Sequence, residues 1–400
     1  MRKRICFLQP QPWFAITPML MSMASLLDKD GWQVDIVYLD DRSGDIDTAG
    51  LSGNVSIHKI PGYHGGNPVR LALTFLRLLP LLLRMVAGKG HEFIVGIDPL
   101  GLIIATCIGL ACRIRRVYCS LELYFGHEMK RLGLRIGKRL ERWCSRRARF
   151  TLTQDQWRAG ALSRENGIDP GRMLVLPNTT TGRARLMESD LLHRRFGLDQ
   201  NTRIILYPCS PFAFAQMDAL TRIADLLPPG YVIVIHVGWY PPHHIRERMG
   251  WRSSRNVIHS FDPFPFNELE KMYASAAVGA ALYMNTDNPG GGRNQDLIGY
   301  SSGKFNLFLK CGKPVITTNQ ETFRSIFAAY PCGVAIDRME EFPGAVETIS
   351  RRMEAYRSEA VRCYNERLCF EPYFRHMLER FAQVSGGNGS GAVPGDRAAG

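Results

Sequence analysis

Ser301-Ser302-Gly303-Lys304-Phe305-Asn306-Leu307-Phe308-Leu309-Lys310-Cys311-Gly312-Lys313-Pro314 is the stretch on which the reading of this chain turns. Serine supplies an N-cap oxygen, and the first backbone N–H groups of a helix have no partner inside it. Gly312 suits the left-handed residue that closes a helix, and Pro314 opens the strand Val315-Ile316-Thr317. Upstream, an apolar strand ending near Tyr283 runs into a polar, Gly-rich loop, Asn285 to Asp296. Strand, loop, helix and strand in that order make one unit of a parallel α/β sheet. Free donors at Ser301, Ser302 and Gly303, with the ammonium of Lys304, suit a phosphate or diphosphate. Two ordinary helix caps would look the same in isolation, so the surroundings decide.

Outward from this unit the pattern repeats. Six strands are expected between Arg203 and Ala335, and seven between Arg4 and Leu176. Most are short, near-continuous apolar runs followed by helical periodicity, as in parallel sheets covered on both faces. A chain of 400 residues exceeds the roughly 250–300 at which one core stops growing. The expected organisation is a first domain over 1–178, a linker over 179–201, a second domain over 202–366, a closing helix over 367–384 and a flexible tail over 385–400. The fold class is α/β, with two Rossmann-like doubly wound domains facing across a cleft. Such sheets bind ligands beyond the carboxyl ends of their strands.

The net charge of +13 and a pI near 9.4 call for an anionic partner. No nucleic-acid motif is present, and the basic residues lack interleaved stacking aromatics, which argues against nucleic acid. A phosphorylated substrate and an anionic membrane surface remain. Ten cysteines without a C-x-x-C pair fit buried thiols in a reducing compartment. The basic start, Arg2-Lys3-Arg4, precedes an apolar run broken at Gln9-Pro10-Gln11-Pro12, too early for a signal peptide. The expected location is cytoplasmic.

The whole arrangement resembles the GT-B glycosyltransferases, most of all the glycosyltransferase family 4-like group. The resemblance rests on Ile298-Gly299 through Lys304 and on Leu309-Lys310-Cys311-Gly312-Lys313-Pro314-Val315-Ile316. It rests also on Pro177-Asn178, Asn256-Val257-Ile258-His259, Leu269 with Met272-Tyr273 and Ala276, and Glu371-Pro372-Tyr373-Phe374, in a consistent order from residue 4 to about 382. It implies a nucleotide-sugar donor, UDP favoured, on the second domain, and a glycan or lipid-linked acceptor on the first. Two departures stand out. The family usually carries two glutamates around this helix, the second holding the donor ribose; Tyr300 and Leu307 stand there instead. The Arg and Lys that commonly grip the diphosphate give way to Pro208-Cys209-Ser210-Pro211-Phe212 and Ala215-Gln216. The family's retention of configuration is weakened as an inference by the same absences.

Candidate residues follow from strand ends. Glu122 is the leading catalytic candidate, able to position or deprotonate an acceptor hydroxyl, and His127 is the second, with Glu128 below it. The two glutamates have structural alternatives: hydrogen bonding for Glu122, capping of the next helix for Glu128. Asp98 faces the cleft as an acceptor contact or caps its own helix, and Gln9 and Gln11 are acceptor contacts. On the donor side stand Ser210, Asp262, Phe264, Ser301, Ser302, Gly303 and Lys304, with His236 and Gly238 nearby. Asp45-Ile46-Asp47 is read as a chance match to a metal-binding pattern, and His243-His244 has no third ligand, so neither a metal nor a cofactor is expected.

A basic helix expected over Glu128–Arg147 combines Lys130, Arg131, Arg135, Lys138, Arg139, Arg142, Arg146 and Arg147 with Leu132, Ile136, Leu140 and Trp143 on one face. Arg70, Arg77 and Arg84 stripe an apolar helix. Neither is long and apolar enough to span a bilayer. Both suit peripheral contact with anionic headgroups at the inner face of the membrane, against a plainer reading of a sheet-covering helix with a solvated face. The alternatives to glycosyl transfer are a nucleotide-sugar epimerase of the same fold and a non-catalytic protein that binds anionic surfaces.

Overall fold

A computed structural model of the chain describes residues 3–10, 14, 17–40, 53–61, 68–210, 216–238, 254–283 and 292–386. Seven strands form the first sheet: β1 (Arg4–Gln9), β2 (Gln33–Asp40), β3 (Val55–Pro61), β4 (Phe93–Ile97), β5 (Arg115–Cys119), β6 (Thr151–Thr153) and β7 (Met173–Val175). Their order is β3-β2-β1-β4-β5-β6-β7. Six form the second: β8 (Arg203–Pro208), β9 (Tyr231–His236), β10 (Val257–Ser260), β11 (Val278–Ala281), β12 (Val315–Thr318) and β13 (Gly333–Ile336), in the order β10-β9-β8-β11-β12-β13. Every pairing is parallel.

The apolar runs are continuous because both faces of each sheet are covered. In β1, Ile5 and Phe7 enter one core with the helix Pro18–Lys29, while Cys6 and Leu8 enter another beneath the helices Pro68–Val86 and Asp98–Ala111. A last helix, Phe370–Gly386, returns to the first domain. Phe370, Phe374, Met377 and Phe381 join its core, and the Phe381 ring lies 4.5 Å from that of Phe93. Each such burial contributes about 1.5–3 kcal/mol, so the return crossing is firmly held.

Two elements differ from expectation. The segment 179–201 is packed and includes a helix, Leu191–Phe196, because Ala184 and Leu192 enter the core of the second domain. The basic helix begins at Leu132 and ends at Ser145, after a separate 3-10 turn, Gly126–Glu128. Glu128 does not cap that helix; its carboxylate accepts the Arg293 backbone N–H at 3.0 Å.

In both sheets the strand order reverses beside the first strand, between β1 and β4 and between β8 and β11. These reversals leave crevices at the carboxyl ends. Gln9 and Asp98 mark the first, and Ser210 and Tyr283 mark the second.

Candidate active site

The helix Gly303–Lys310 is built as its sequence suggests. Ser302 is the N-cap, and its Oγ accepts the Phe305 N–H at 3.2 Å. The N–H groups of Gly303 and Lys304 lie in the first turn, where no intrahelical partner exists. Gly312 takes φ +66°, and a side chain there would meet Leu186 at 2.8 Å. Tyr283 and Ser302 share a hydroxyl hydrogen bond of 2.6 Å, tying the helix start to the end of β11.

Lys304 sits between two rings. Its Nζ lies 4.5 Å from the Tyr283 ring centre and 5.1 Å from that of Tyr207 on β8. Burial lowers its pKa to about 8, and no carboxylate pairs with it among the described residues. A desolvated ammonium beside first-turn N–H groups can accept a phosphate group and regain its charge partner. Ser301 is used differently: its Oγ donates to Ile298 O at 2.5 Å and accepts from Arg158 at 3.2 Å. The anion-facing set is thus Ser302, Gly303 and Lys304, with the Ser301 hydroxyl given to the interface.

Arg158, which nothing in the sequence singled out, links the domains. It lies on the helix Gln156–Asn166 and is fully buried. Its guanidinium donates to Leu121 O at 2.7 Å, Asn294 Oδ1 at 2.9 Å and Ser301 Oγ at 3.2 Å. Asn294 also accepts the Leu123 N–H at 2.9 Å and donates to Glu122 Oε2 at 2.7 Å. Asn178 adds a further link, accepting the Met19 N–H at 3.2 Å and donating to Ser301 O at 2.9 Å. Glu122 is therefore brought to the domain interface, half-buried, with Arg158 at 3.8 Å. His127 is exposed on the turn Gly126–Glu128.

Asp98 has the stronger mark of a strained functional group. It is buried, adopts φ +55° at the first turn of its helix, and has one carboxylate oxygen, Oδ2, without a partner among the described residues. Its other oxygen, Oδ1, accepts the Leu121 and Glu122 N–H groups at 2.9 and 3.0 Å, so it holds the loop after β5 instead of capping its own helix. Those two bonds also explain why β5 stops at Cys119 and not at Leu121 as its apolar run suggests. Burial, then the nearby Glu122 charge, pushes its pKa up to about 7. Gly96 lets the helix start pack this close, since a side chain there would lie 2.5 Å from Gly101 O. Gln9, on the neighbouring strand, is buried, and neither amide atom has a partner among the described residues. Gln11 lies outside the described residues, as do Asp45, Asp47, His243 and His244.

The remaining donor-side candidates lie at the ends of β8, β9 and β10. Ser210 is half-buried just past β8. Asp262 is exposed and pairs with Arg195 at 2.9 Å. Phe264 is buried, its ring 4.4 Å from the Arg195 guanidinium and 5.0 Å from the His236 ring. His236 bonds Ser260 at 3.0 Å, and burial lowers its pKa to about 4, so it is neutral at pH 7. Leu307, at the position of the family's ribose-holding glutamate, is packed into the second-domain core.

Two parallel Rossmann-like sheets whose crevices carry these groups define a two-domain GT-B fold. Residues 15–179 match the family model of the glycosyl transferase 4-like domain. The resemblance to that group is therefore shown over the first domain. No curated protein matches the chain. Solved structures share the fold at low identity. Sucrose-phosphate synthase from Thermosynechococcus elongatus is 13% identical with a TM-score of 0.71, covering 96% of this chain and 99% of that one. HepE from Anabaena, in complex with UDP and glucose, is 13% identical with a TM-score of 0.69, covering 96% and 100%. A putative UDP-N-acetylglucosamine 2-epimerase from Listeria monocytogenes is 11% identical with a TM-score of 0.65, covering 96% and 97%.

Proposed function

We propose that the protein is a glycosyltransferase that moves a sugar from a UDP-sugar to a glycan or lipid-linked acceptor in surface polysaccharide or glycolipid assembly. The observation that carries this reading is the placement of Lys304 and the first-turn N–H groups of Gly303 and Lys304 at the crevice of the second sheet. The match of the first domain to glycosyl transferase 4-like domains supports the reaction class, and the UDP held by HepE supports the nucleotide.

The acceptor hydroxyl would meet Asp98 and Gln9 at the crevice of the first sheet, where unpartnered polar atoms await hydrogen bonds. Glu122 would act beside them, oriented by Asn294. An epimerase needs acid–base carboxylates from both domains around the sugar. Asp98 and Glu122 both come from the first, and Asp262 of the second is exposed and paired with Arg195, so transfer is the better fit.

The outer face of the helix Leu132–Ser145 supports attachment to an anionic membrane. Leu132 is 72% exposed, and Ile136, Leu140 and Trp143 are exposed with it. Arg135, Arg139 and Arg147 surround them, with the Arg147 guanidinium 4.0 Å from the Trp143 ring centre. Lys138 is not part of this surface, because it is buried against Glu141 at 2.9 Å. Leu73 and Leu81 of the helix Pro68–Val86 are exposed as well, with Arg77 and Arg84. Among the described residues no helix is long and apolar enough to cross a membrane. Apolar anchors ringed by cations match anionic headgroups over an acyl boundary, and a first domain held there would reach a lipid-linked acceptor.

The test is calorimetry of the purified protein against a panel of UDP-, GDP- and dTDP-sugars, followed by transfer assays on membrane extracts. Tight binding of one UDP-sugar is the expected result. No binding of any nucleotide sugar would sink the proposal.

A further inference from the structure

Lys313 belongs to the Gly312-Lys313-Pro314 motif, yet it has no part in the cleft. In a parallel sheet the carboxyl ends of all strands face one way, so residues just before the strands lie at the far end. Lys313 precedes β12, and Arg203 is the first residue of β8. Both line a cavity of about 210 Å3 at that far end, together with Ser350, Arg357 and Glu188. Much more space is available there than the roughly 30 Å3 that one water takes.

The charges lining this cavity do not balance. Lys313 Nζ, almost fully buried, bonds Glu188 Oε2 at 2.8 Å, and Arg357 bonds the other oxygen of the same carboxylate. Glu188 is the sole carboxylate in the lining, and its side chain is 68% exposed. Arg203 has no carboxylate partner among the described residues; its guanidinium meets only the Tyr231 hydroxyl and ring. The Nε of Arg357 is buried and has no partner among the described residues. Burial lowers the pKa of Lys313, against the raising effect of Glu188. Three cations face one carboxylate in the lining, and the 78% exposed Glu354, outside the lining, stands 3.5 Å from Arg357, so positive charge remains in excess.

We infer that this cavity is a binding site for a phosphate monoester dianion, separate from the nucleotide-sugar cleft. The excess of positive charge favours an anion, and a phosphate can take both the Lys313 and the guanidinium donors. Two guanidiniums offer the paired N–H donors that phosphate oxygens accept, and Lys313 supplies a point charge at depth. The volume leaves room for an attached sugar-sized group. Glu188, being mostly solvent-exposed, occupies part of the cation set when the site is empty and moves outward when a phosphate enters.

Calorimetry on the full chain tests this, with glucose 1-phosphate and inorganic phosphate as probes. Arg203→Ser, on an exposed strand start, should weaken phosphate binding about tenfold or more. Glu188→Gln should tighten it, because the competing carboxylate is gone. Lys304→Met should leave it unchanged while weakening nucleotide binding. Glucose 1-phosphate binding tighter than inorganic phosphate assigns a sugar phosphate; equal binding assigns the bare anion. Binding that survives Arg203→Ser but disappears with Lys304→Met would place the probe in the cleft and overturn the inference. Absence of any heat with both probes at millimolar concentration would overturn it too.

Discussion

Replacing Arg158 by leucine removes a side chain that bonds the first domain to the loop and helix start of the second at two points, Asn294 and Ser301, and to Leu121 O within the first. The guanidinium is fully buried and donates to a carbonyl, an amide oxygen and a hydroxyl at 2.7, 2.9 and 3.2 Å. Hydrogen bonds from a charged donor contribute about 1.5–3 kcal/mol each. Leucine leaves buried acceptors unmatched and recovers only some apolar contact, so a net loss of about 3–5 kcal/mol is expected. With a urea slope of about 1–3 kcal/mol/M, the unfolding midpoint should fall by 1 M or more. Arg158→Lys keeps the charge but cannot fork to three acceptors, and should fall about midway. Two of the three acceptors belong to Asn294 and Ser301, next to the anion-facing turn, so nucleotide-sugar affinity should drop in the same order. The assay is urea unfolding followed by tryptophan fluorescence, with nucleotide-sugar titration of each variant. A leucine variant within about 0.5 kcal/mol of the parent would refute the reasoning, since no buried charged link of this kind is lost so cheaply.

Three further outcomes follow from the same geometry. Lys304→Met should weaken nucleotide-sugar binding by about 1.5–3 kcal/mol while leaving the unfolding midpoint nearly unchanged, as read by calorimetry and thermal melts. In the parent, Lys304 has a pKa near 8 that a phosphate would raise, so affinity should fall as pH rises above 8, and this slope should vanish in the variant. Asp98 has a folded pKa near 7, above its unfolded value, so its protonated form is favoured in the fold. Stability attributable to it is therefore present below about pH 4 and lost progressively up to pH 7; Asp98→Asn should flatten that decline in melts between pH 4 and 8 while lowering transfer activity. Finally, Leu140→Ser with Trp143→Ser should cut cosedimentation with vesicles rich in anionic lipid at least tenfold, without changing nucleotide-sugar affinity.

Why some of this was readable in the chain and some was not comes down to range. β1, β4 and β8 are short apolar runs whose burial on both faces leaves a local trace, and Ser302 and Gly312 act on their own helix. Those features depend on neighbours within a few residues. Lys138 and Arg158 look like any surface cation on a helix, yet both are buried, because Glu141 meets one and a carbonyl, an amide and a hydroxyl meet the other. Leu132, Ile136, Leu140 and Trp143 show the reverse: a face that could have covered the sheet points to solvent.

By itself, then, the sequence determined two parallel α/β sheets in tandem, the helix that starts at Gly303 after its Ser302 cap, and the cation at Lys304. Hydrophobic periodicity and capping are local physics, and they suffice for that much. Only the tertiary structure decided that Ser301 serves Arg158, that Asp98 braces the loop after β5 with one oxygen left over, and that Lys313 faces a cavity behind the sheet. Each of those outcomes depends on a partner far along the chain, such as Ser301, 143 positions from Arg158. Side-chain type cannot announce a partner that only the folded chain brings within hydrogen-bond distance.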